Sequence, residues 1–287
     1  MLRTAAAAGL TKVLRVTGFG VHPIDQVAWV ERFDQLNANL FVDTVRNAFG
    51  GVSNEYDRFC LSAYLEGAAR MARDGVAPIS QLGQDILILG LLGSDGFFLD
   101  IGAASPTYLS NTFALERSYG WAGVVVEPDP SFAAMQRGAR ISDSRTVVVE
   151  CALGDIDGEA TLVRATELST LTTQLDKLDG YQAARVEAAE KGDTVTVHLK
   201  RPTTVLTEAS APAVIDFMSL DVEGSELTVL RNFPLDSYRI RSACIEHNGR
   251  SDLPEMEGIM REHGLVRVLK GFSGVDAWFI DPALTSR

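Results

Sequence analysis

The sequence predicts an α/β fold: a doubly wound, mostly parallel sheet preceded by an N-terminal helical extension. Three observations lead there. From Gly96 onward, short apolar runs alternate with helix-forming stretches, as strands buried on both faces alternate with crossover helices. Acidic and small residues recur just beyond the ends of these runs, where a parallel sheet places its ligand crevice. Before about residue 80 the apolar positions recur instead at helical spacing.

The extension, residues 1–80, carries that spacing at Val27, Val30, Phe33 and Leu36, and again at Phe59, Tyr64, Ala68 and Met71. Gly50-Gly51 and Gly75 with Pro78 mark its breaks. Early basic residues and an alanine run raise the question of a targeting peptide. Lys12 and Arg15 interrupt the apolar stretch, and no small-residue cleavage site follows, so a short helix is expected. The extension fits a cap over a site, a homodimer surface or an addition to the core, and the sequence does not choose.

Residues 81–287 hold the alternating domain. The run 86–92 is too short to span a bilayer. Strands are predicted at 97–101, 124–126, 146–151, 214–220 and 240–246. Helices are predicted at 109–119, ending before Gly120, at 131–138, and on the face of Leu227, Leu230 and Phe233. A last helix takes Ser251 or Asp252 as cap, Pro254 in its first turn and Met256, Ile259 and Met260 inward, with Gly264 beyond its end. Residues 265–269 and 277–280 are expected to pair antiparallel at the sheet edge. Between about 155 and 213 the rhythm breaks: strands at 161–163 and 194–199 flank a helix-prone stretch at 175–191. An insertion at this end of a parallel sheet shapes a substrate pocket.

Composition narrows the partners. With 26 basic and 38 acidic side chains the net charge is −12, which repels phosphate backbones and anionic lipids. No nucleic acid and no membrane span are expected. Cys60, Cys151 and Cys244 show no C-x-x-C spacing and read as free core thiols, which suits a cytoplasmic protein.

The chemistry sits at strand ends. The first strand runs into Asp100-Ile101-Gly102-Ala103-Ala104, with one glycine where a dinucleotide fingerprint has three, and Ser105-Pro106 after it. Alone, this is equally a structural turn. Glu127 ends the second strand, where an acid accepts hydrogen bonds from ribose hydroxyls. The third ends in Cys151-Ala152-Leu153-Gly154-Asp155, placed to frame an adenine ring, and the fourth enters Asp221-Val222-Glu223-Gly224. Each acid has a bland alternative as a helix cap or solvated loop residue. Together they point to one crevice. Asp221, Glu223 and Glu246 also offer the hard oxygens that Mg²⁺ prefers, although carboxylates at strand ends equally serve as cofactor contacts and caps.

From about residue 80 to 280 the sequence resembles the FkbM methyltransferases. The blocks that carry the resemblance are Ser80-Gln81-Leu82-Gly83-Gln84-Asp85, Phe98-Leu99-Asp100-Ile101-Gly102-Ala103 and Leu109-Ser110-Asn111-Thr112. They continue with Leu115-Glu116, Tyr119-Gly120-Trp121-Ala122-Gly123, Val126-Glu127-Pro128-Asp129-Pro130, Leu220-Asp221-Val222-Glu223-Gly224-Ser225-Glu226 and Ile245-Glu246-His247-Asn248. Where the family continues D-I-G-A-N-D-G, this chain has Ala104-Ser105-Pro106. The resemblance implies a Rossmann-like domain of the class I methyltransferase type with S-adenosyl-L-methionine as donor. The acceptor it implies is a small-molecule or lipid-linked hydroxyl compound: a sugar, glycolipid or polyketide-type product.

It places Asp100, Gly102 and Ala103 at the methionine part of the donor, Glu127 at the ribose, and Ala152 and Leu153 near the adenine. Asp221 and Glu223 stand beside the sulfonium and acceptor, and Ser110 and Asn111 line the donor site. For such a reaction His247, Asp221 or Glu223 is the candidate base; a loop histidine without a catalytic role is the equal alternative for His247. Two other functions remain open: a NAD(P)-dependent oxidoreductase, and a non-catalytic S-adenosylmethionine-binding module.

Overall fold

The structure, a computed structural model, describes residues 54–140, 145–176 and 181–286. The expectations for residues 1–53, including the short first helix and the apolar set around Val27, lie outside the described residues.

Helix α1 (Glu55–Asp74) begins at Asn54, whose side chain accepts the Asp57 N–H at 2.8 Å, and ends at Gly75 in the left-handed conformation. It lies against α2 (Gln84–Leu92), whose sequence QDILILGLL is apolar enough to be buried almost all round. Two glycines permit the close approach. A β-carbon on Gly67 would stand 2.0 Å from the Ile86 carbonyl oxygen, and one on Gly90 1.7 Å from that of Ala63.

The alternation follows in chain order: β1 (Phe97–Ile101), α3 (Phe113–Tyr119), β2 (Ala122–Val126), α4 (Pro130–Ala139) and β3 (Val147–Val149). The insertion contributes β4 (Ala152–Leu153), β5 (Gly158–Val163), β6 (Thr170–Leu171), α5 (Gln182–Glu190), β7 (Thr194–Lys200) and α6 (Pro202–Glu208). The chain closes with β8 (Val214–Leu220), α7 (Glu226–Asn232), β9 (Arg239–Glu246), α8 (Leu253–Glu262), β10 (Val266–Val268) and β11 (Asp276–Ile280).

Seven strands form the main sheet in the order β10-β11-β9-β8-β1-β2-β3. β9, β8, β1, β2 and β3 run parallel, and β11 is antiparallel to both its neighbours. Side-chain alternation splits the core across the two faces. Phe98, Val125 and Phe217 pack with α1, α2 and α3, while Leu99, Val124, Met218 and Leu220 pack with α6, α7 and α8. The described part of the extension thus shares the core of the sheet.

Several predicted elements differ in detail. The helix expected at 109–119 starts only at Phe113, because Leu109 is left-handed (φ 60°) and the Ser110 hydroxyl accepts the Phe113 N–H. The third strand, expected at 146–151, ends at Val149 as β3 beside β2, and Ala152–Leu153, expected just past its end, pairs instead in a second sheet ordered β4-β7-β5-β6. β10 and β11 pair antiparallel at the sheet edge, as expected, with β10 outermost and β11 between it and β9. Cys60, Cys151 and Cys244 are free and buried. Among the described residues no helix is long and apolar enough to cross a membrane.

Candidate functional site

From β1 the chain turns to β2 and β3 on one side, and reaches β8 and β9 on the other. A sheet that reverses its strand order opens a crevice at the carboxyl ends of the strands on either side of the switch. Two adjoining hollows occupy that position. One, of about 560 Å³, is lined by Glu127, Ala152 and Leu153. The other, of about 730 Å³, is lined by Asp100, Ala103, Ser110, Asn111, Glu246 and Asn248. Gly102, Ala104, Glu167, Asp221 and Glu223 border both.

Gly102 stitches the crevice floor. Its φ is 79°, and a β-carbon would lie 1.7 Å from the Asp221 carbonyl oxygen, so only glycine fits. Its N–H donates to Val126 O at 2.9 Å, while the Asp221 N–H donates to Ile101 O at 2.9 Å. The ends of β1, β2 and β8 are therefore fixed together. The next turn has no second glycine. Ala104 sits at φ 42° instead, held by its N–H on Glu127 Oε2 (2.7 Å) and by Gln136 Nε2 donating to Ala103 O and Ala104 O.

Glu127 is buried, and each of its oxygens accepts one backbone N–H, from Ala104 and from Asp129. Burial still pushes its carboxyl up to about 7. Since a carboxylate offers about four lone-pair sites, acceptor capacity remains toward the hollow. Asp100 is buried with the Thr112 hydroxyl donating to it at 2.5 Å and Arg140 at 3.8 Å, and burial raises its pKa. Asn111 Nδ2 donates to the Ser219 hydroxyl at 2.9 Å, which orients the amide, and its buried Oδ1 receives no hydrogen bond.

At the ends of β8 and β9, one oxygen each from Asp221, Glu223 and Glu246 lie within 4.8 Å of one another. Glu223 adopts a left-handed backbone (φ 55°) and pairs with Arg185, which reaches in from α5 and also donates to Leu168 O at 3.1 Å. Glu226 accepts the N–H groups of Val222 and Gly224 and pairs with Arg250, fixing the loop between β8 and α7. Burial, reinforced by the surrounding carboxylates, raises Asp221 and Glu246 well above the usual carboxylate range.

Eleven of the twelve sequence-predicted residues thus line the crevice, and His247 does not. Glu246 faces the second hollow. One residue further on, the His247 ring accepts the Gly249 N–H on Nδ1 and is depressed by burial and by Arg267. Sequence reasoning missed Gln136, Arg185 and the Glu226–Arg250 pair as site-building residues. The last pair stood inside or beside the quoted blocks. Arg185 gave no signal, because a charge in a polar stretch is ordinarily solvated.

No curated protein and no solved structure matches the chain in the comparisons made. The family model of the methyltransferase FkbM domain matches residues 100–266, from the Asp100 turn through the acidic loops to β10. That is more than half of the 287 residues, and the chain belongs to the FkbM methyltransferase family.

Proposed function

We propose that this methyltransferase uses S-adenosyl-L-methionine to O-methylate a hydroxyl of a sugar, glycolipid or polyketide-type product, on a Rossmann-like domain. The observation that carries the proposal is the pairing of two hollows across Gly102: one with Glu127 at a strand end, the other with carboxylates. Gly102, whose missing side chain lets the Asp221 carbonyl close on the end of β1, holds the strand ends together beneath both hollows. In this reading Glu127 holds the ribose and Ala152 and Leu153 flank the adenine. Gly102, Ala103, Asp100, Ser110 and Asn111 face the methionine part.

When bound, the donor supplies a methyl carbon activated by a positively charged sulfur. The protein has to align an acceptor hydroxyl with it and take the hydroxyl proton. Asp221 is the assigned base. It borders both hollows, which in this reading sets its carboxylate between the donor and the acceptor. Glu223, anchored by Arg185, and Glu246 help to shape the acceptor side. His247 supports the loop in this account and takes no part in proton removal.

The test is transfer of a labelled methyl group from the donor to hydroxyl compounds fractionated from the source organism. Asp221→Asn is expected to lower turnover at least 100-fold while changing affinity for S-adenosylhomocysteine less than about threefold. Full turnover by Asp221→Asn would remove the base. Label recovered on a carboxyl or amine would overturn O-methylation.

A further inference from the structure

We infer that Asp221, Glu223 and Glu246 form a divalent-cation site, of the Mg²⁺ or Mn²⁺ kind, at the carboxyl ends of β8 and β9. Their convergence within 4.8 Å is the first observation. The second is a shortage of donors. Glu246 is only 6% exposed and borders the second hollow, yet its Oε2 receives no hydrogen bond and stands 3.9 Å from Arg250 Nη1, within ion-pair range but beyond hydrogen-bond range. Asp221 Oδ1 and Asn111 Oδ1, on the same hollow, are also buried and receive none.

Other buried carboxylates show how this chain ordinarily treats such groups. Every oxygen of Asp85, Glu127 and Glu226 takes a donor from the protein, whereas Glu116 Oε1, on a residue paired with Arg140, takes none. The charge balance points the same way. Asp221, Glu223, Glu226, Glu246 and Asp276 crowd one strand-end region, where Arg185 pairs with Glu223 and Arg250 with Glu226, 3.9 Å from Glu246. An acceptor-rich, donor-poor hollow with surplus negative charge suits a small hard cation bound through oxygen at about 2.1 Å. Asn248 adds to the case. Its buried amide nitrogen lines the hollow without an acceptor, and turning the amide over presents oxygen instead.

Cation binding is independent of the donor reading; the role of the cation in holding an acceptor oxygen rests on it. The full chain, stripped with a chelator and dialysed, is titrated with MnCl₂ while free Mn²⁺ is followed by electron paramagnetic resonance. Thermal unfolding is recorded with Mn²⁺ and, separately, with S-adenosylhomocysteine. The expected result is one Mn²⁺ per chain and a higher Tm, with binding at least tenfold weaker in both Asp221→Asn and Glu246→Gln. Asp236→Asn, at an exposed position, should bind as the unaltered chain does. Either variant that fails to fold is replaced by Glu246→Asp, expected to bind more weakly but measurably. Absence of Mn²⁺ binding at millimolar concentration, or equal binding by the folded variants, overturns the site. Stabilisation by S-adenosylhomocysteine in the absence of Mn²⁺ binding would sink the cation and leave the donor reading intact. Mn²⁺ binding without that stabilisation does the reverse.

Discussion

At Gly102 a side chain has nowhere to go, because the Asp221 carbonyl stands 1.7 Å from where a β-carbon would be and φ is 79°. Gly102→Ala is therefore expected to cost on the order of 2–4 kcal/mol in urea unfolding and to abolish S-adenosylhomocysteine binding. Wild-type affinity in that variant would detach the floor from the donor. Glu127 makes a pH prediction. Its carboxyl titrates near 7 when folded, above the ordinary 4.5, so the native state holds the extra proton. Its stabilising share is complete below about 4.5 and is lost as pH rises through about 7. Stability measured by denaturation from pH 5 to 8 should fall, and Glu127→Gln should flatten that fall. An unchanged slope would contradict the assignment.

Both residues were readable as a strand-end glycine and a strand-end acid. The turn between them read weakly, because long-range hydrogen bonds, one donated by Gln136 and one accepted by Glu127, replace the missing glycines. His247 was readable as a motif but not as a direction: adjacent to Glu246, it lies off the crevice that Glu246 lines. His247→Ala should keep turnover within about tenfold of the unaltered enzyme, once measured where the variant is folded. A loss comparable to that of Asp221→Asn would return the histidine to the mechanism.

Among the elements, the insertion has the most consequence for the site. α5 delivers a guanidinium that is almost fully buried to Glu223, and β6 places the Thr170 hydroxyl on Glu223 O at 2.6 Å. Removing one partner of a buried ion pair strands the other charge, at roughly 3–5 kcal/mol. Arg185→Met should lose stability of that order in urea unfolding, with proteolysis appearing first within residues 155–213, and Arg185→Lys should recover part of it. An Arg185→Met protein as stable as the parent would show the pair to be incidental. The insertion was visible as a broken rhythm, since its strands alternate locally. Which sheet they join was not visible. Apolar runs do not specify partners, so the early end of β3 and the entry of Ala152–Leu153 into a second sheet emerge only from tertiary packing.

At the scale of the whole molecule, the parallel sheet was the most legible feature. Strands buried on both faces write continuous apolar runs, and the acids beyond those runs mark one end of the sheet. The strand order, with its reversal between β1 and β8, then brings residues as distant in sequence as Asp100 and Glu246 to one crevice. The donor proposed for that crevice is S-adenosyl-L-methionine, with a pyrophosphate-bearing dinucleotide as its alternative. Thermal unfolding of the full chain with saturating S-adenosylhomocysteine, against the same concentration of NAD, tests this most directly. A ligand at 100 times its Kd adds about 2.7 kcal/mol to the folded state, so Tm should rise by several degrees with S-adenosylhomocysteine and stay unchanged with NAD. Stabilisation by NAD alone would contradict the account.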